Sequence, residues 1–138
     1  MTLEFVKFPS LENHYRENVV HKARELGYEN ELYLITEKVH GANFSFHTKV
    51  TVGEPTEFKP AKRTDFIADD ESFYGCRPVI AKYKDRVIAL AEAIARGEKA
   101  PDCNIVIYGE LYGGKVQNAM SYKKEQDFVA FGLNNFNN

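Results

Sequence analysis

"EKVHGANFSF", Glu37 to Phe46, sets a lysine and a histidine beside a glycine and then alternates Phe44 and Phe46 with Ser45 and His47. Alternation at a period of two is the pattern of a strand with one face toward a core. Upstream, Leu32, Tyr33, Leu34 and Ile35 predict a second, largely buried strand, which makes "HGAN" the turn between the two. Lys38 then stands at a strand end, and His40 shares its face if the strand runs that far. Gly41 allows the backbone to turn tightly and a ligand to approach it closely. A lysine attacks only as the neutral amine, and about one ordinary lysine in a few thousand is neutral at pH 7. A site using Lys38 in that way has to disfavour the ammonium, by desolvation or by neighbouring cations.

Working outward, Ser10 is placed as an N-cap after Pro9. Leu11, Tyr15, Val19, Ala23 and Leu26 repeat every three or four residues until Gly27, which predicts an amphipathic helix. Beyond the alternating phenylalanines, "PAKRT", Pro60 to Thr64, predicts a third strand within a β-prone segment broken by Gly and Pro. Val79, Tyr83, Val87, Leu90, Ala91 and Ile94 hold helical spacing up to Gly97, the expected stop of a second helix. "NIVIYGELYGG", Asn104 to Gly114, and "DFVAFGL", Asp127 to Leu133, predict two more strands. The asparagine-rich end, residues 134–138, reads as a frayed terminus.

These elements make an α+β fold, an antiparallel twisted sheet with flanking helices. At 138 residues and 43% hydrophobic content, residues 1–138 are expected to form one domain able to enclose a core. A net charge of -2 gives no global positive field, so nucleic acid would have to be met by local basic clusters. Cys76 and Cys103 lack metal-site or CxxC spacing, and the start of the chain has no signal-type run, so a reducing cytoplasm is the expected location. No apolar stretch approaches the roughly 18 residues that cross a bilayer, and no membrane partner is expected.

Taken in order, "EKVHGANFSF", "AKRT", "VIYGELYGG" and "DFVAFGL", with "SLENHY" at Ser10 to Tyr15, resemble the RNA ligase 2 family of phage and kinetoplastid-type RNA-joining enzymes. The resemblance runs from Ser10 to Leu133. It implies the N-terminal part of an adenylation domain of the covalent nucleotidyltransferase kind, with ATP as substrate, magnesium, and RNA bearing 5′-phosphate and 3′-hydroxyl ends. A phage-infected bacterial cell fits that family as a setting.

The resemblance also implies roles residue by residue. Lys38 corresponds to the lysine that receives AMP, Glu37 to a residue near the adenine, and His40 and Asn43 to the other polar residues of that motif. Arg63 corresponds to an arginine near ribose and phosphates, a place suited to a permanently charged fork of N–H donors. Glu110 corresponds to an acidic residue near ribose or metal. Phe131 corresponds to an aromatic that stacks on adenine, a contact of about 1–3 kcal/mol per base. Lys59, Lys62, Lys123 and Lys124 are candidate contacts to RNA phosphates. The family pattern continues into a further acidic motif and a lysine-containing motif beyond Asn138, so a C-terminal region or partner chain is expected to complete the pocket. Two alternatives stay open: another covalent nucleotidyltransferase, a DNA ligase or capping enzyme, and an inactive or partial nucleotide- or RNA-binding remnant. Against the first, His40 stands where those families usually place aspartate.

Overall fold

The structure, a computed structural model, describes residues 2–11, 15–99, 102–116 and 122–137. Among the described residues it is α+β, with two α-helices, one short 3-10 turn and a four-stranded antiparallel sheet. The chain forms two compact units: Met1–Lys7 with Val39–Asn138, and Phe8–Lys38.

The unit Phe8–Lys38 contains helix α1, Glu17–Glu25, followed by a 3-10 turn at Tyr28–Asn30. Ser10 does not cap this helix. Arg16 holds the N-cap position without a side-chain bond, and positions 12–14 lie outside the described residues. The nine-residue helix starts where the charges favour it, with Glu17 in the first turn and Lys22 and Arg24 in the last, each matched to the partial charge of its terminus. It buries no residue, and Leu11, Tyr15 and Leu26 are exposed. Its expected stop is met at Gly27, where φ is 76°. The strand predicted at Leu32–Ile35 does not form, and all four side chains are exposed, Leu32 fully so. A strand needs a neighbouring edge for its N–H and C=O groups, and among the described residues none pairs with this segment.

In the other unit the strands are β1 (Ala42–Thr51), β2 (Glu57–Lys62), β3 (Asp102–Tyr112) and β4 (Asp127–Asn137), in the spatial order β2-β1-β3-β4. Strand β2 begins three residues earlier than expected and ends before Arg63. The chain folds back there, with the Lys62 N–H donating to the Asp65 carbonyl at 2.9 Å and the Ile67 N–H to the Pro60 carbonyl at 3.0 Å. Strand β4 runs through Asn137, so residues 134–137 of the asparagine-rich end are paired rather than frayed, and position 138 lies outside the described residues. Asn134, Asn135 and Phe136 face Val106, Ile105 and Asn104 of β3, and the Cys103 thiol donates to Asn135 Oδ1 at 2.6 Å.

Helix α2, Arg77–Glu98, covers one face of this sheet. Pro78 sits in its first turn, where a missing N–H costs nothing. The stop expected at Gly97 falls two residues later: Gly97 stays helical and Lys99 takes the left-handed conformation, φ 53°. Val79, Val87, Ala91 and Ala95, spaced by multiples of four, are buried, whereas Leu90 points away and is exposed. Under the helix Phe44 and Phe46 of β1 meet Ile107 and Leu111 of β3 and Phe128 of β4. The Phe46 and Phe128 rings lie edge to face at 4.9 Å, a geometry that adds to the burial of two large rings.

The opposite face carries Ser45 and His47, which the alternating pattern would leave in water. Both are buried, because residues 3–6 cross over them. The Val6 N–H donates to His47 Nε2 at 3.1 Å, the Tyr108 hydroxyl donates to the Val6 carbonyl at 2.8 Å, and Phe5 stacks on the His47 ring at 5.4 Å. β1 is therefore buried on both faces along residues 44–49.

Candidate functional site

Antiparallel register brings residues far apart in sequence onto one row of a sheet. Asn43 of β1 pairs with Glu110 of β3, and Glu110 pairs in turn with Val129 of β4. The row lies on the face away from α2, since the flanking positions Phe44, Leu111 and Phe128 are the ones buried beneath the helix. Arg63 follows directly after Lys62, whose partner is Phe44, and is exposed at the β2 end of the same region. Three of the sequence-predicted polar residues thus converge on one end of the sheet, with Asn43 and Glu110 half-buried.

The turn that enters β1 is tied to this row. The Gly41 N–H donates to Glu110 Oε1 at 3.2 Å, and the adjacent His40 N–H donates to the Tyr122 hydroxyl at 2.9 Å, while the His40 side chain is exposed. What approaches Gly41 so closely is the chain's own backbone: a Cβ there would fall 2.1 Å from the Leu111 carbonyl oxygen. Gly109, beside Glu110, is the second such position, since a Cβ on it would lie 2.1 Å from the Val129 carbonyl oxygen and 2.4 Å from the Phe128 ring. A glycine inside a strand is itself a signal of close approach, and here it lets β4 and Phe128 close down on β3.

Phe131 is 52% exposed and does not belong to the core. It is the extra residue of a β-bulge, lying between the pairs Ala130 with Gly109 and Gly132 with Tyr108. Bulges re-aim side chains next to sites. Glu37 and Lys38 are the last residues of the other unit, Phe8–Lys38, and both are exposed. The strand expected to hold Lys38 and His40 on one face is absent.

The basic candidates divide. Lys62 is ion-paired with Glu71, and this ammonium, with the Ala68 N–H, holds the Glu71 carboxyl below its ordinary range. Lys123 pairs with Asp127 Oδ2 at 2.8 Å. Lys59 lies over the Phe66 ring at 5.2 Å, and Lys124 is exposed.

Asp127 is a hub that sequence reasoning missed. Burial alone would raise its pKa, but Lys123, the Tyr83 hydroxyl at 2.6 Å, the Phe128 N–H at 2.9 Å and Lys82 at 3.2 Å outweigh that and hold the carboxyl well below the usual range. It fastens the start of β4 to α2. Tyr122 was missed for a related reason: its contact with His40 joins residues 82 positions apart, and no local pattern marks it.

Among the described residues, no group of three or more His, Cys, Asp or Glu side chains could hold a metal, and no helix is long and apolar enough to cross a membrane. Cavities of about 520 and 480 Å³ lie elsewhere, the first beside Glu92, Arg96 and Lys99 near the end of α2, the second between residues 2–6 and Lys49, Asn104 and Phe136.

Comparison with known proteins places this geometry in context. A family model described as RNA ligase matches residues 31–137, which include Lys38, Asn43, Arg63, Glu110 and Phe131. A curated relative, the mitochondrial RNA-editing ligase 2 of Trypanosoma brucei brucei, is 26% identical over 128 residues. That match takes in 93% of this chain and 30% of the relative's length.

Proposed function

The chain belongs to the RNA ligase family, and from that premise we propose that it is the nucleophile-bearing part of an ATP-dependent RNA ligase working through a lysyl-AMP. The observation that carries the proposal is the Asn43–Glu110 row with the Gly41 amide bound to Glu110. It joins Gly41 and Asn43 to an acidic residue of a distant strand, in a polar patch with Arg63 exposed at the end of β2.

In this reading the Lys38 amine attacks the α-phosphorus of ATP; a P–N bond forms and pyrophosphate leaves with the electron pair of the broken P–O bond. AMP then passes to the 5′-phosphate of an RNA, and a 3′-hydroxyl displaces it as the two ends join. Splitting one hard condensation in this way is the advantage of covalent catalysis. Arg63 offers its fork of donors to phosphate oxygens, Phe131 its exposed ring to adenine, and Glu37, His40 and Asn43 polar contacts to the nucleotide. A magnesium ion bound with the triphosphate would offset phosphoryl charge, and Glu110 is the carboxylate to share it, one carboxylate plus phosphates and water being this metal's usual set. Lys59 and Lys124 are the outward-facing candidates for RNA phosphates; Lys62 and Lys123 already hold carboxylates.

A second reading is favoured by the exposure of Glu37 and Lys38: the chain binds nucleotide without forming a covalent adenylate. One experiment separates the two. The protein is incubated with α-labelled ATP and magnesium, alone and mixed with a separately made C-terminal portion of a related ligase. Acid-labile label on Lys38, rising in the mixture, is expected. Label that persists in Lys38→Ala removes the claim, and nucleotide binding without label in either arrangement establishes the second reading. Lys38→Arg fails as well, because a guanidinium stays protonated.

A further inference from the structure

We infer that Tyr122 is a positioning residue for the nucleophile motif, acting through the backbone of His40; the role rests on the lysyl-AMP reading. The His40 N–H donates to the Tyr122 hydroxyl at 2.9 Å, and the next amide, of Gly41, donates to Glu110 at 3.2 Å. Two consecutive amides that begin two residues after Lys38 are therefore gripped by two side chains from separate parts of the chain, one on β3 and one just before β4. A single such bond would leave the turn free to swivel about it; two in succession fix both its position and its direction.

The grip is only as firm as the residue supplying it, and Tyr122 is held from two sides. Its ring stands edge-on to Tyr112, at the end of β3, with centroids 5.9 Å apart. The following residue, Lys123, bonds Asp127 at 2.8 Å, and its carbonyl accepts the Gly114 N–H at 3.1 Å. Asp127 is in turn bonded by Lys82 and Tyr83 of α2. A continuous set of contacts thus runs from the helix through Asp127 and Lys123 to Tyr122 and on to the amide of His40. The Tyr122 hydroxyl bonds a backbone amide of the nucleophile motif, so Tyr122 acts as a positioning residue and not a catalytic one. In-line attack is sensitive to placement, and a displacement of about 1 Å at the attacking atom can cost about 100-fold.

The test is Tyr122→Phe, which keeps the ring against Tyr112 and deletes only the oxygen. Under the labelling conditions given above, the expected result is a rate of lysyl-AMP formation reduced about 10-fold, with the apparent KM for ATP changed less than about 2-fold and an unchanged melting temperature. Hydrogen exchange at the His40 amide should quicken in the same variant while the Gly41 amide keeps its protection. An unchanged labelling rate, or unchanged exchange at His40, overturns the role. If the wild-type protein forms no adenylate in either arrangement, the ligase reading fails and this role fails with it. An active wild type with an equally active Tyr122→Phe removes this inference alone.

Discussion

The amide of Gly41 and the carboxylate of Glu110, 69 residues apart in sequence, are joined by a hydrogen bond of 3.2 Å. The contact exists because residue 41 has no side chain: a methyl group there would collide with the Leu111 carbonyl at 2.1 Å. Gly41→Ala must push the turn off β3 and break the bond to Glu110. A loss of about 1–3 kcal/mol is expected, the usual cost of overpacking, together with loss of nucleotide labelling. Urea denaturation of the two proteins decides it; near-wild-type stability would show that the turn can move aside.

His47 sets a pH dependence. Burial disfavours its imidazolium and brings its pKa down to about 4, against a smaller opposing effect of the Val6 carbonyl. The unfolded chain, with an ordinary histidine near 6.5, binds the proton more readily. Stability from this residue is complete above about pH 6.5 and is lost as pH falls toward 4, on the order of 3 kcal/mol in all. His47→Gln, lacking the titration, should flatten the melting profile across that window. A variant profile as steep as the wild type's would assign the acid sensitivity to other groups.

Asp127 acts lower on the pH scale. Its carboxyl is depressed in the fold, so its contribution is present above the ordinary aspartate pKa of about 3.9 and declines as pH falls below that. Asp127→Asn keeps the shape and removes the charge that Lys82, Lys123 and Tyr83 address. We expect a loss of about 1–3 kcal/mol near neutral pH and faster hydrogen exchange at the start of β4. Unaltered exchange there would mean that strand pairing alone holds β4 in place.

Phe131 and Phe46 form a matched comparison. Phe46 is fully buried, and Phe46→Ala should cost about 3–5 kcal/mol. Phe131 is half exposed at a bulge, so Phe131→Ala should change stability by about 0.5 kcal/mol or less while weakening ATP binding by about 1–3 kcal/mol. Calorimetric ATP titration beside thermal melts separates the two; unaffected binding would remove the stacking role.

Local pattern made the central strand and the long helix legible: Phe44 and Phe46 alternate, and the apolar positions of α2 repeat every turn. The same alternation misled on Ser45 and His47, because the chain that covers them comes from residues 3–6, outside any local window. Leu32–Ile35 has the composition of a strand, but strand formation depends on a neighbour that composition does not reveal. The reverse error occurred at the asparagine-rich end, whose weak propensity is overridden by pairing with β3. The family resemblance, not residue type or spacing, marked Asn43, Glu110 and Arg63 in the sequence; their shared region, and the parts taken by Tyr122 and Asp127, follow from register and long-range contact.

The two edges of the sheet differ in kind. At β2 the outer backbone is occupied by the returning segment 65–67, Pro60 has no N–H to offer, and Glu57, Lys59 and Lys62 add charge. At β4 the ten residues from Phe128 to Asn137 carry no charge and no proline, and among the described residues no strand lies beyond them. The two edges therefore differ in what they offer an incoming strand: β4 presents a long uncharged run next to the bulge that carries Phe131, whereas residues 60–62 at the end of β2 are already bonded by the chain's own return.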